Sequence, residues 1–391
     1  MTLDAQTNRD ISSALARSIR ERGPRWAIRT LAAIAQMRAA LPKDRPLEGR
    51  TAIVLGAGPS LDLAGPHLQR WQAMGAVIIS TNTAARAAVQ HGVQPDLVCF
   101  AETDPIVASH LESVHPGAVV VSTYCSQETI DAANQAAPGR VAFVFSPELC
   151  LFPLAYALGT EPLWHFGCVA VTCIAIARYL GCSRIILAGV DAAYTSRMYA
   201  RGTPFEDLRP HVEQDLMLGP HQVEPLLITV SDRDTPSKRR SVQRAVMIQN
   251  NMGGQSLSEP QLLAPTHLFV PAARGCQLQT VSPHAIQLDG VEFLDCSSVE
   301  ILGDPTRPAF LLKPIWHLDA RSVLEQMEQR IKRWDPHDSV FAPADVPLAS
   351  FWGLSRNTDP IKCLGANRQL MAEAKQMLLD ALGEASRKPW P

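Results

Sequence analysis

The chain has 391 residues, 36 basic and 38 acidic, and 46% of its side chains are hydrophobic; that length suits two or three domains, or one large unit with additions. A formal charge of −2 gives no overall field to hold nucleic acid or an anionic membrane, so neither is an expected partner unless a local basic patch supplies it. The opening MTLDAQTNRDISSALARSIR has no apolar core of signal-peptide length, and no later stretch reaches the roughly 18 uninterrupted apolar residues of a membrane span, so a cytoplasmic protein is expected.

Residues 10–41 place Ile11, Leu15, Ile19, Trp26, Leu31, Ile34 and Met37 at helical spacing, with Gly23-Pro24 as a break, which predicts a helical flank ending near Pro42. A polar stretch from Lys43 leads into the run Thr51-Ala52-Ile53-Val54-Leu55, and from there short β-branched runs alternate with longer helical patterns. Strands are predicted near 51–55, 76–80, 97–101, 118–122, 141–145 and 184–188, an alternation that gives a mostly parallel sheet with crossover helices. Residues 168–180 are apolar almost all round and predict a buried helix stopped by Gly181. Segment 195–240 reads as an irregular lid or binding loop, followed by a helix at 238–250 and a short strand at 291–294. The tail predicts helices at about 318–333 and 366–385 joined by a Pro-rich stretch. The expected organisation is an N-terminal helical flank (1–48), an α/β nucleotide-binding domain (49–310) and a C-terminal helical extension (311–391).

Nine cysteines lie in apolar stretches without a Cys-x-x-Cys pair, which favours buried reduced thiols over disulfides or a metal centre. None of the histidines, His165, His211 and His221 included, has metal-type spacing. No metal or tightly bound cofactor is expected.

Chemistry concentrates where predicted strands end. Gly56-Ala57-Gly58-Pro59-Ser60 follows the first strand and opens a helix. Glycines let a backbone approach a ligand closely, and a helix N-terminus offers free N–H groups to a phosphate; the alternative is a plain tight turn. Asn82 and Thr83 follow the second strand, where the Asn82 amide either reads a base or ribose edge or caps the next helix. Glu102 and Asp104 leave the third strand, as cation or hydroxyl ligands, with Asp104 before Pro105 also a normal N-cap. Gly167 and Cys168 open the buried helix, and Gly189, Asp191 and Tyr194 follow the last strong strand. Asp191 stands where a doubly wound sheet places catalytic carboxylates, and Tyr194 could donate to a departing phosphate. The whole reads as a Rossmann-like α/β fold.

These motifs together, Gly-Ala-Gly-Pro-Ser-Leu-Asp (56–62), Ser-Thr-Asn-Thr-Ala (80–84), Pro-Asp-Leu-Val (95–98), Gly-Cys-Val-Ala (167–170) and Gly-Val-Asp-Ala-Ala-Tyr (189–194), resemble the domain shared by motility-associated factor (Maf) proteins and archaeal 6-hydroxymethylpterin diphosphokinases. The resemblance spans about 50–300, and the motif order is also similar to that of bacterial sialyltransferases. It implies a glycosyltransferase that takes a nonulosonic acid (pseudaminic, legionaminic or sialic-like) from a CMP-activated donor and places it on a protein hydroxyl such as flagellin's, or on a glycan. Under it Gly56, Gly58, Pro59, Ser60, Asn82, Thr83, Gly167, Cys168 and Gly189 hold the nucleotide, Gly167 and Tyr194 support the phosphate, and Asp191 or Glu102 orients the acceptor or acts as base. Two alternatives stand beside it: a diphosphokinase using ATP on a pterin-like alcohol, with Mg²⁺ on Glu102, Asp104 and Asp191, and an inactive nucleotide-binding module. In two places the sequence departs from the family pattern: Cys168 replaces a usual Ser or Thr, and Tyr199 stands at a usual His.

Overall fold

The computed structural model describes residues 39–144, 168–213, 226–231 and 240–301, parts of 25–33, 304–306 and 312–314, and scattered helical residues at 325–332 and 376–380. Its centre is an eight-stranded sheet made of β1 (Thr51–Leu55), β2 (Val77–Thr81), β3 (Leu97–Phe100), β4 (Ala118–Ser122), β5 (Val141–Val144), β6 (Arg184–Ala188), β7 (Gln277–Thr280) and β8 (Glu292–Phe293). The spatial order is β8-β7-β6-β1-β2-β3-β4-β5, and every pairing is parallel. The six strands expected from β-branched runs are all present, within a residue of their expected bounds.

Parallel strands must be covered on both faces, and alternate side chains show how. Ala52, Val54, Val77, Ile79, Leu97, Cys99, Val120 and Ala142 point to one face, where α5 (Val169–Tyr179) lies fully buried from Ala170 to Ala177. On the other face Ile53, Leu55, Ile78 and Ile186 pack on α1 (Leu61–Ala64) and α2 (Leu68–Ala73), with Trp71 sealed beneath. Toward the far edge, Val98, Phe100, Val119 and Val121 cover Ala85 of α3 (Ala85–Gln90) and Ile130 and Ala133 of α4 (Gln127–Ala136). Ser126 starts α4 as a side-chain cap, accepting from the Thr129 N–H at 3.2 Å.

Two expectations are corrected. Segment 195–240 is not wholly irregular, and 238–250 is not helical: Arg209–Glu213, Leu226–Ser231, Arg240–Gln249 and Gln255–Ser258 form a four-stranded antiparallel sheet. A bulge between Val242 and Ala245 shifts the register, and the apolar residues Val242, Ala245, Val246, Met247 and Ile248 do not alternate as a regular strand's would. Beyond the bulge the side chains alternate normally, with Met247 51% exposed and Ile248 2%. The short elements α6 (Pro260–Leu263), α7 (Phe269–Ala272) and β7 were not foreseen.

At the N-terminal side, the described residues between 25 and 33 are helical, but Ala39–Ala40 is extended and pairs antiparallel with Lys313–Pro314, so residues assigned to the two flanks hydrogen-bond to each other. The described residues within 318–333 and 366–385 are helical. No helix among the described residues is long and apolar enough to cross a membrane.

Candidate functional site

The chain lays down β1 to β5 in one direction and then returns through α5 to place β6 on the other side of β1. That reversal is the switch point of a doubly wound sheet, where the loops leaving two neighbouring strands diverge and ligands bind beyond the carboxyl ends. Here the two loops are 56–60, after β1, and 189–194, after β6.

They are locked together. The N–H of Gly56 donates to Ala188 O at 2.8 Å, that of Gly58 to Gly189 O at 2.7 Å, and that of Ser60 to Asp191 Oδ2 at 2.8 Å. The expectation that these amides face a phosphate is thereby corrected, because three of them are committed to the neighbouring loop. The glycines serve the same contact: a Cβ on Gly56 would lie 2.4 Å from Gly189 O, and one on Gly58 would lie 2.6 Å from Asp191 Oδ2. Gly189 reciprocates, with a φ of +69° and only 2.5 Å between an added Cβ and Gly56 O. The helix that follows has four residues, too short to offer much of a dipole, and the Asp191 carboxylate already occupies its N-terminus.

Asp191 is 3% exposed. Burial pushes its carboxyl up to about 6, against the opposing pull of the Ser60 amide, the Ser282 and Ser60 hydroxyls and His284. Ser282 Oγ also accepts from the Gly189 N–H at 2.9 Å, so one hydroxyl braces both the loop and its acid. A carboxyl that titrates near neutrality beside a polar rim has the properties of a general base.

Four buried polar atoms along this rim make no well-formed hydrogen bond to described residues: Ser60 Oγ, Thr81 Oγ1, Ser122 Oγ and Asp191 Oδ1. They sit where β1, β2, β4 and β6 end. Buried polar groups are normally satisfied, and among the described residues these four have no well-formed partner, although the Ser60 hydroxyl acts on Asp191 electrostatically.

The remaining candidates divide. Asn82 does not cap a helix; its Nδ2 lies 3.1 Å from His110 Nδ1. Thr83 is half-buried beside it, and Pro59 is buried in the turn. Glu102 is exposed on the rim, close enough to Cys125 and Cys168 to act on both thiols electrostatically. Asp104 takes its bland alternative, accepting from the Ile106 N–H at 3.0 Å as the cap of the turn Pro105–Leu111. Tyr194 is corrected: its hydroxyl donates to buried Glu259 at 3.0 Å rather than facing a phosphate. Cys168 stands at the N-cap position of α5 without a side-chain capping hydrogen bond, and burial raises its thiol against the opposing pull of the Val171 and Ala170 amides. Gly167, His165 and His221 lie outside the described residues, as does the side chain of His211. Among the described residues no group of three or more His, Cys, Asp or Glu could hold a metal ion, so Glu102, Asp104 and Asp191 do not converge.

Three sets of contacts were not foreseen, although 195–240 was expected to hold a lid or binding loop. The loop after Tyr194 closes over the turn: the Ala200 N–H donates to Ala57 O at 2.9 Å, and Arg197 pairs with Asp62 at 2.7 Å. Tyr199, Phe205 and His110 form an aromatic run leading to Asn82, with centroids 5.3 and 5.6 Å apart. At the far end of the rim the N-terminal helical residues reach over the sheet, where Trp26 stacks on Tyr124 at 5.4 Å and Arg29 donates to Thr103 O.

Fold and site together define a doubly wound α/β unit with a polar, acid-bearing rim at its switch point. Residues 28–197 match the family model described as 6-hydroxymethylpterin diphosphokinase MptE-like. A sequence comparison with curated proteins gives no match. Among solved structures, the Maf glycosyltransferase from Magnetospirillum magneticum AMB-1 is similar with a TM-score of 0.53 and 16% identity, covering 93% of this chain and 58% of that one. This chain therefore spans a little over half the length of that neighbour, with which it shares a fold. The family model thus agrees with the motifs over 28–197, and the solved neighbour agrees with the expected fold.

Proposed function

We propose that the chain is a transferase that binds a nucleotide-activated sugar at the rim between the β1 and β6 loops, with a CMP-nonulosonic acid as donor and a protein hydroxyl, such as flagellin's, or a glycan as acceptor. The observation that carries this reading is the set of four buried polar atoms along the rim without a well-formed partner among the described residues, two of them, Ser60 Oγ and Asp191 Oδ1, at the switch point, the latter on a carboxyl raised to about 6. Likeness to a Maf glycosyltransferase supports it at the level of fold. Ser60, Asn82 and Thr83 line the nucleotide's side, and Gly56, Gly58 and Gly189 set the approach of the two loops. With Oδ2 held by the Ser60 amide, Asp191 Oδ1 takes the proton from the acceptor hydroxyl. The acceptor oxygen then bonds to the anomeric carbon, and the bond to the CMP phosphate oxygen breaks. Glu102, exposed on the same rim, orients the acceptor.

The family description favours a second reading, diphosphate transfer from ATP to a pterin-like alcohol with Mg²⁺. A thermal-shift screen with CMP, CDP, UDP, GDP and ATP, each with and without Mg²⁺, separates the two. A rise in melting temperature with CMP that ignores Mg²⁺ is expected. A response confined to ATP with Mg²⁺ would establish the second reading instead.

A further inference from the structure

Asn82 and His110 are each 2% exposed, and the 3.1 Å contact between Asn82 Nδ2 and His110 Nδ1 fixes more than a distance. An amide nitrogen can only donate, so Nδ1 accepts, the ring proton sits on Nε2, and the imidazole is neutral. Its surroundings agree, since burial, and then the Arg86 guanidinium, hold His110 down at about 4. Phe205 meets the ring edge-on and Tyr199 packs against Phe205, which keeps the imidazole from swinging away. Once Nδ2 is tied, the other end of the amide is tied too: Oδ1 points away from His110 and can only accept. Among the described residues nothing donates to it.

We infer that His110 is a positioning residue that presents the Asn82 carbonyl to the ligand, so that the site selects a base carrying an amine donor over one carrying a carbonyl. The inference rests on the nucleotide reading above and deepens it. Cytosine offers its exocyclic amine to Oδ1, whereas uracil brings a carbonyl oxygen against a carbonyl oxygen. A buried acceptor left facing an acceptor costs enough to separate the two ligands by about ten- to a hundredfold. A ribose hydroxyl at the same place would donate as readily as accept and would give no such preference.

Calorimetric titration of CMP and UMP into the full chain measures the ratio directly, and the variants His110→Gln and His110→Phe ask whether the imidazole sets it. The intact chain should favour CMP about ten- to a hundredfold. H110Q keeps an acceptor for the amide and should keep the preference. H110F keeps an aromatic ring but no acceptor, frees the amide to turn, and should bring the ratio close to one. Melting curves establish that each variant is folded. Nitrogen-15 spectra of the intact chain need no variant and should show His110 neutral with the proton on Nε2 between pH 5.5 and 8. Equal affinity for CMP and UMP in the intact chain, a ratio unchanged in folded H110F, or a proton on Nδ1 would overturn the inference while leaving nucleotide binding standing. Binding of neither nucleotide would overturn the nucleotide reading and this inference together.

Discussion

Replacing Asp191 by asparagine isolates the cost of keeping an acid in the rim. The native carboxyl moves from its ordinary 3.8 to about 6 on folding, chiefly because burial penalises its charge. Between those values the folded chain binds more protons than the unfolded one, so this group's contribution is fully present below pH 4 and is lost as pH rises through 6. The displacement corresponds to roughly 3 kcal/mol. Asparagine has nearly the same shape, and its carbonyl still accepts from the Ser60 N–H, while its amide nitrogen meets the hydroxyls of Ser60 and Ser282; it does not titrate. Urea unfolding of both proteins from pH 4 to 7.5 should therefore show the variant gaining on the native chain by roughly 3 kcal/mol across the range. Subtracting the two curves cancels the groups they share. Sugar transfer should be abolished although the variant is at least as stable at pH 7, since no base remains. A difference that stays flat with pH would refute the buried acid, and one that grows the other way would show the carboxylate firmly paired.

Further outcomes follow from the same contacts. Gly58→Ala puts a methyl group 2.6 Å from Asp191 Oδ2 and 2.7 Å from Gly189 O, and should lower stability by roughly 1–3 kcal/mol in urea titration; an unchanged midpoint would mean the loops are not locked. Tyr194→Phe removes the donor to buried Glu259 and should cost about 1–3 kcal/mol by the same assay, whereas a neutral result would separate that pair from the core. Arg197→Ala breaks the ion pair with Asp62, whose partners are 18% and 25% exposed, so global stability should change by about 1 kcal/mol or less. Hydrogen exchange at the Ala200 amide should nonetheless accelerate, by roughly tenfold, as the loop opens locally.

The sheet was legible because parallel strands are buried on both faces and so read as plain apolar runs: Ile53-Val54-Leu55, Val119-Val120-Val121 and Ile185-Ile186-Leu187 announce themselves. Strand β7 did not, because Gln277-Leu278-Gln279-Thr280 at the sheet's edge region carries polar side chains that pair laterally, Gln279 with Arg184 and Glu292. Missing that strand also hid Ser282, whose value depends on β7 lying next to β6. The positions of the motifs were readable, and their physical purpose was not: glycines suited to a ligand's approach prove to admit a second loop, a contact that requires the crossing of residues about 130 apart. His110 lies in a short turn of ordinary composition and becomes informative only when the fold brings it to Asn82. Asp191, by contrast, was singled out by its place after the last strong strand, and the structure adds the burial that gives it a raised pKa.

The central claim is that a nucleotide lies against the two loops at the switch point. Hydrogen–deuterium exchange of the full chain with and without CMP reads this directly, and the account predicts slower exchange confined to peptides covering 56–64, 80–86 and 189–203. Protection located instead on the antiparallel strands between 209 and 258, with those three segments unchanged, would contradict it.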